Sequence, residues 1–165
     1  MSYDAAIVKM ERLLAIRICS KRSRIKASTN FSIDGKIIVS SVMPDELLDQ
    51  LTGKKYVELL NAIDPDVAMI LDCYTYVDDP LAISWSQIFS FVNNALYAVE
   101  NTDIPLLGIV KGANQVQVSW CVDRLLEMGL RTLVLPHREL SRMGKVGKIL
   151  FKYMLRRAKN SERTS

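Results

Sequence analysis

Three ionisable side chains stand directly after apolar segments that are typical of buried strands: Asp72, Lys111 and His137. Ligands of parallel α/β sheets bind beyond the carboxyl ends of the strands, so this position predicts a common working surface. The carboxylate could accept hydrogen bonds from the N–H groups of a purine-like base. The ammonium could contact a phosphate or carbonyl oxygen, and the imidazole could shuttle a proton near neutral pH.

Each of these residues also has a plainer interpretation. Asp72 could cap the loop that follows it or pair with a lysine, Lys111 could be a surface lysine, and His137 could be a packed or capping residue. The aromatic side chains nearby likewise have a functional and a structural interpretation, since they could stack on a flat ligand or belong to the core or a lid. Those aromatic residues are Tyr74, Tyr76 and Trp85.

Metal and cofactor chemistry receives little support from the sequence. Asp78 and Asp79 precede Pro80, which is more typical of a turn and a helix start than of a divalent-ion site. The cysteines stand singly, without a C-x-x-C pair, and Cys73 has no basic neighbour in sequence, so we expect packing thiols. Phosphate-loop, dinucleotide, zinc-protease and nucleophile-elbow patterns do not occur. We therefore predict no cofactor and no metal, and the sequence assigns no catalytic residue.

The elements that must position these residues alternate between strand and helix. Apolar runs at residues 67–71, 105–110 and 131–135 predict strands, and helical spacing at residues 84–100 and 115–128 predicts the helices between them. Gly129 is expected to end the second helix in a left-handed conformation. The fold class is thus α/β, with a mainly parallel sheet flanked by helices.

The flanking segments give further expectations. The patterns predict an amphipathic helix over residues 3–19, followed by a hairpin of strands 25–28 and 36–40 around Asp34-Gly35. They also predict helices over residues 44–51 and 55–63, with Gly53 ending the first of these. A basic helix is expected over residues 145–157. At 165 residues and 49% hydrophobic, the chain is expected to form a single domain with a basic helix and tail at about 142–165. No apolar run approaches the roughly 20 residues that cross a bilayer, so we expect a cytoplasmic protein without membrane contact.

Charge is distributed unevenly along the chain. Residues 1–40 hold eight cationic and three anionic side chains, and residues 141–165 hold eight cationic and one anionic side chain. The overall net charge is +4, so residues 41–140 carry a net charge of about −8. Basic ends could grip RNA phosphates, or they could form a solubilising surface and a frayed tail. The candidate RNA-binding residues are Lys152, Arg156, Arg157 and Lys159.

Residues 66–75, which read DVAMILDCYT, and 107–112, which read LGIVKG, together resemble a segment of the tRNA-guanine transglycosylases, and residues 125–135 extend the likeness. That family exchanges a guanine in tRNA for a 7-deazaguanine base on a TIM barrel. Its strand D-[IV]-x-x-[IL]-[LF]-D-x-x-T ends in a base-recognising aspartate, matched by Asp72 with Thr75. A later strand contributes a base-binding glutamine, and the matching position is Lys111. The resemblance, together with the tendency of ligands to bind beyond the carboxyl ends of parallel strands, implies a set of base-binding residues. This base-binding set is Asp72, Thr75, Lys111, Gly112 and His137.

The sequence departs from the family in ways that alter the expected activity. The family's D-S-G-G-F-Q segment, with its general-base aspartate, has no counterpart, and the nearest stretch is Val39 to Pro44. The Cys/His zinc cluster and the nucleophilic aspartate are also missing, and a closed barrel takes about 250 residues. We therefore expect a non-catalytic relative that binds base or tRNA, or one part of a split base-exchange glycosyltransferase that a partner chain completes.

Two other functions remain open from the sequence. The chain could be a structural or interaction subunit that docks, as a homodimer or on another protein, through an open sheet edge and its amphipathic end helices. It could also be an independent small enzyme that uses Asp72, Lys111 and His137 as acid, base and electrostatic group.

Overall fold

The computed structural model describes residues 5–10, 36–136, 140 and 144–161. Within these residues the chain forms five strands and five helices. The strands are β1 (Ala5–Lys9), β2 (Lys36–Ser40), β3 (Val67–Met69), β4 (Leu106–Ile109) and β5 (Leu133–Val134). The helices are α1 (Asp45–Leu48), α2 (Gly53–Ile63), α3 (Leu81–Asn101), α4 (Gln115–Glu127) and α5 (Gly144–Ser161).

All five strands are parallel, and their order in the sheet follows their order in the chain. The predicted α/β class with a parallel sheet flanked by helices is confirmed. Parallel strands are joined by right-handed crossovers as a rule, so a sheet whose strands follow chain order winds in one direction. This winding is consistent with part of a TIM barrel.

The chain divides into two compact units. The first comprises Met1–Asp72 and Asn94–Leu107, and the second comprises Cys73–Asn93 and Gly108–Ser165.

In the first unit the two faces of the sheet differ in burial. Val8, Val39 and Ala68, which lie side by side on neighbouring strands, are buried. The preceding residue of β1, Ile7, is 67% exposed, and its register partner Ile38 on β2 is only partly buried. Since successive side chains in a strand point to opposite faces, one face holds the core and the other is more open.

The helices begin and end where their sequences supply caps. The Thr52 side chain accepts a hydrogen bond from the Lys55 amide at 3.3 Å and starts α2, which ends at Asp64 in a left-handed conformation. The Asn114 side chain caps α4, and Gly129 follows its last residues with φ +87°, as predicted.

The second unit has its own apolar core between α4 and α5. Its buried residues are Val110, Val118, Val122, Leu140, Leu150 and Met154. The predicted basic helix is therefore anchored on one side, which leaves its polar side outward.

Three predictions are wrong. Residues Ala5–Lys9 form β1 and not the start of an amphipathic helix. Both edges of β2 are taken by parallel neighbours, β1 and β3, which leaves no place for a hairpin partner on β2. Gly53 begins α2 instead of ending α1, because the Thr52 side chain caps α2. The glycine is explained by packing, since a Cβ at this position would lie 2.5 Å from the Asn94 side chain. The predicted strand 25–28 and the Asp34-Gly35 turn lie outside the described residues.

Candidate functional site

The first unit holds Asp72 at the carboxyl end of β3. The strand's bonding continues past its last residue, since the Ile70 amide donates to the Leu107 carbonyl at 3.0 Å, and Leu71 is 3% exposed. Asp72 itself is 8% exposed. The Asp72 carboxylate therefore follows a buried segment that extends β3.

Two hydroxyl groups accompany Asp72 in the same unit. Ser41 follows β2 and donates to the Ile70 carbonyl at 2.6 Å, and Tyr56 of α2 donates to the Met69 carbonyl. Both side chains are fully buried. Burial raises the pKa of the Tyr56 hydroxyl well above its ordinary value, the nearby Ser41 hydroxyl lowers it, and the negative charge of Asp72 raises it. We call the two buried hydroxyl groups near Asp72, those of Ser41 and Tyr56, the hydroxyl cluster.

The other aspartate of the matched segment has a structural role. Asp66 stands before β3, and its Oδ2 accepts a hydrogen bond from the Ile37 amide at 2.7 Å. It therefore ties β3 to β2 at the opposite end of the strand from Asp72.

The second unit begins with the loop after Asp72. Thr75 is 8% exposed, and the rings of Tyr74 and Tyr76 lie 5.9 Å apart at an interplanar angle of 29°. The Tyr76 amide donates to Asp79 Oδ2 at 3.4 Å, which matches the turn interpretation of the acidic pair. Among the described residues no group of three His, Cys, Asp or Glu side chains is arranged to hold a metal ion.

Lys111 and Gly112 lie in the second unit, after β4. Lys111 is 2% exposed, and its amide contacts Cys121 Sγ at 3.5 Å. Gly112 has φ +154°, and a Cβ there would lie 2.7 Å from the Val118 nitrogen. The loop therefore packs directly against the first turns of α4, and only glycine fits this point.

Gln117 is a polar residue of this site that sequence reasoning missed. It is fully buried, and its Oε1 accepts from Ser84 Oγ at 2.8 Å and from the Ala113 amide at 2.9 Å, while its Nε2 has no hydrogen-bond partner within the described part of the chain. The Asn114 side chain in turn accepts from the Gln117 amide at 3.0 Å. The pattern Asn-x-x-Gln before an apolar run is the signal that would have found this variant of a capping box.

The described cysteines are free thiols. Burial raises the pKa of Cys121 to about 11, against the smaller lowering by its hydrogen bond with the Lys111 backbone and by the Lys111 charge. A thiol that stays protonated near neutral pH is a weak nucleophile, so Cys121 is a packing residue.

Two of the predicted RNA-binding residues lie on the outer side of α5. Lys145, Lys148, Lys152 and Arg156 are all exposed. Their spacing of three, four and four residues places them on one face of the helix, and we call them the basic stripe. None of the four forms an ion pair with a carboxylate among the described residues. The side chains of Arg157 and Lys159 are not described.

Comparison with known proteins leaves the family open. No family model and no curated protein matches this chain. The base-binding set therefore stays a prediction: Asp72 belongs to the first unit, Thr75, Lys111 and Gly112 belong to the second, and His137 lies outside the described residues. Among the described helices, none is both long and apolar enough to cross a membrane.

A cavity of about 250 Å³ lies elsewhere in the first unit, at the amino ends of β3 and β4. It is lined by Asn61, Asp64, Pro65, Asp103, Ile104 and Pro105. Asn61 is already engaged, since it donates to the Asn101 carbonyl at 3.1 Å and accepts from Thr102 at 2.6 Å. Because ligands of parallel sheets bind at the carboxyl ends of the strands, this cavity is not the candidate site.

Proposed function

We propose that this chain is a transglycosylase-like protein that binds a 7-deazaguanine-type base, and the tRNA that carries it, without performing the exchange alone. One observation carries the proposal: Asp72 is a largely buried carboxylate at the carboxyl end of a strand in a sequentially wound parallel sheet. In the tRNA-guanine transglycosylases, which the sequence resembles, the aspartate at this position recognises the base.

The chemistry of a carboxylate suits that ligand. A guanine-type base presents an N1–H and a 2-amino group side by side, and an ionised carboxylate offers two acceptor oxygens at the same spacing. Charge-assisted, bidentate hydrogen bonds are stronger than neutral ones, and a buried position strengthens them further. Selectivity follows because a base without the 2-amino group leaves one oxygen unpaired.

Binding without exchange is supported by the residues beside Asp72. The family's general-base aspartate would fall near the end of β2, where this chain has Ser40 and Ser41. The Ser41 hydroxyl already donates to the Ile70 carbonyl, and a serine hydroxyl is a poor base near neutral pH. Catalysis would then need a carboxylate from a partner chain.

The tRNA part of the proposal rests on the basic stripe. Four exposed cations on one helix face, without carboxylate partners among the described residues, can displace counterions from a phosphate backbone. Val146 and Ile149, which are 53% and 59% exposed, flank the stripe and could contact sugars or bases.

The base site is tested by calorimetric titration with guanine and 7-deazaguanine. We expect saturable binding that the isosteric variant Asp72→Asn weakens at least ~100-fold, because the amide cannot accept two hydrogen bonds. Thermal unfolding of the variant checks that the fold is kept. No binding to the wild-type protein would refute the proposal.

The matched control is Asp64→Asn, which makes the same change at the amino end of β3, beside the 250 Å³ cavity. Asparagine tolerates the left-handed conformation found at this position, so the fold should be kept. We expect base affinity to be unchanged. Loss of binding in this variant but not in Asp72→Asn would place the base in the cavity and contradict the assignment.

The basic stripe is tested by measuring tRNA affinity against salt concentration for Lys148→Gln/Lys152→Gln. We expect weaker binding and a salt slope lower by about 2, roughly one for each phosphate that the variant no longer neutralises. The control is Lys54→Gln/Lys55→Gln, which removes two exposed cations from the first turn of α2. Equal losses of affinity in both variants would mean that only net charge matters.

A further inference from the structure

The second unit carries an exposed apolar patch on the neighbouring faces of α3 and α4. We call it the aromatic patch, and it consists of Leu81, Trp85, Phe89, Val116 and Trp120. Leu81, Phe89 and Val116 are 62%, 49% and 69% exposed, and both tryptophans are partly exposed. The residues repeat every four positions along each helix, so they form two adjoining stripes.

The aromatic rings hold one another in place. Trp85 and Phe89 are stacked with centroids 5.4 Å apart, and Trp120 meets them edge-on at 5.7 Å and 4.9 Å. The Arg124 guanidinium lies 5.9 Å from the centre of the Trp120 ring. Rigid tryptophan with adjacent arginine is the composition that dominates binding energy at protein interfaces.

Charge is missing from this part of the surface. Neither residues 81–93 nor residues 115–122 contain an Asp, Glu, Lys or Arg, although 24% of the chain is charged. At its border Arg124 pairs with Glu127 at 2.7 Å, so that rim pair carries no net charge. Depletion of charge at the centre with a polar rim is the usual anatomy of a protein interface.

We propose that the aromatic patch is the contact between two copies of this chain, related by a two-fold axis. A two-fold contact sets the same patch against itself, which requires a surface that does not repel its own copy. The basic stripe on α5 would repel its own copy across a two-fold axis, whereas this uncharged patch with its paired rim is compatible with its own copy. The assignment is independent of base binding at Asp72.

Sedimentation equilibrium and tryptophan emission test the proposal together. We expect a mass of twice 18.7 kDa at micromolar concentration, falling to the monomer on dilution. Trp85 and Trp120 are the only two tryptophans of the chain, so emission should shift to the red, and acrylamide quenching should increase, over the same dilution range.

The disruptive variant is Val116→Glu, which places a charge in the patch of both copies. Val116 lies in the first turn of α4, where a carboxylate favours the helix, so folding should be kept and is checked by circular dichroism. We expect the dimer to weaken at least ~100-fold, since two unpaired like charges would be buried together. Its tryptophan emission should already match that of the diluted wild type.

The control is Ile149→Glu, which makes the same kind of change at a 59% exposed aliphatic residue on α5. We expect its mass and emission to equal those of the wild type. A monomeric wild-type protein at all concentrations, or a dimer that Val116→Glu does not weaken, would overturn the proposal. Dissociation by Ile149→Glu alone would overturn it as well, because the contact would then lie on α5.

Discussion

The ends of β3 and β4 both carry a buried ionisable side chain, but they are built differently. Asp72 is accompanied by Ser41 and Tyr56, whose hydroxyl groups are bonded to carbonyls of the strand segment before it. Lys111 is followed by a glycine that packs against the backbone of α4. One end is organised by polar side chains, and the other is organised by close backbone contact.

Burial alone does not separate these two residues, because Asp72 is 8% exposed and Lys111 is 2% exposed. Their surroundings do separate them. The buried hydroxyl groups hold the strand segment that leads to Asp72, whereas Gly112 fixes the loop of Lys111 against α4. The proposed base recognition rests on Asp72, whereas the contact of Gly112 with α4 supports the fold.

The largest effect that tests this comparison should come from Gly112→Ala. The new Cβ would lie 2.7 Å from the Val118 nitrogen, in a backbone conformation at φ +154° that is almost restricted to glycine. We expect a loss of about 2–4 kcal/mol in the free energy of unfolding, measured by urea denaturation.

Gly129→Ala is the matched control, since Gly129 also has positive φ but has nothing within 4 Å of the added Cβ. It should lose only about 1 kcal/mol, the cost of a left-handed residue with a side chain. Equal losses of stability in the two variants would mean that the loop is not fixed by packing against α4.

A smaller effect is expected from Tyr56→Phe at the other strand end. The change removes the hydroxyl that donates to the Met69 carbonyl and should cost about 1–2 kcal/mol of unfolding free energy. Base affinity should change by less than about tenfold, because the Asp72 carboxylate is kept. An affinity loss as large as that of Asp72→Asn, with stability unchanged, would make Tyr56 the recognition group instead.

Much of the central fold could be predicted because local signals agreed with the tertiary structure. The apolar runs, the Gly129 cap and the helical spacing all favoured alternating strands and helices, and consecutive strands of such a pattern usually lie side by side. The amino-terminal segment failed because Ile7 and Met10 also fit a helical spacing. Pairing of Ala5–Lys9 with β2 decided the outcome, and no local pattern reports that pairing.

The candidate site was predictable only in part, for a similar reason. Asp72 stands at the end of an apolar run and could be found from the sequence. The hydroxyl cluster could not, because Ser41 reaches Ile70 across 29 residues and Tyr56 reaches Met69 across 13. The charge-free segments behind the aromatic patch were visible in the sequence, but only the packing of α3 beside α4 makes them one surface.

The most direct measurement of the central claim compares the affinities of 7-deazaguanine and 7-deazahypoxanthine, which differ only in the 2-amino group. We predict that the wild-type protein prefers 7-deazaguanine by at least ~10-fold and that Asp72→Asn brings this ratio close to one, because the second carboxylate oxygen is the group that recognises the amino group. Equal affinities in the wild-type protein, or a preference that persists in Asp72→Asn, would contradict base recognition by Asp72.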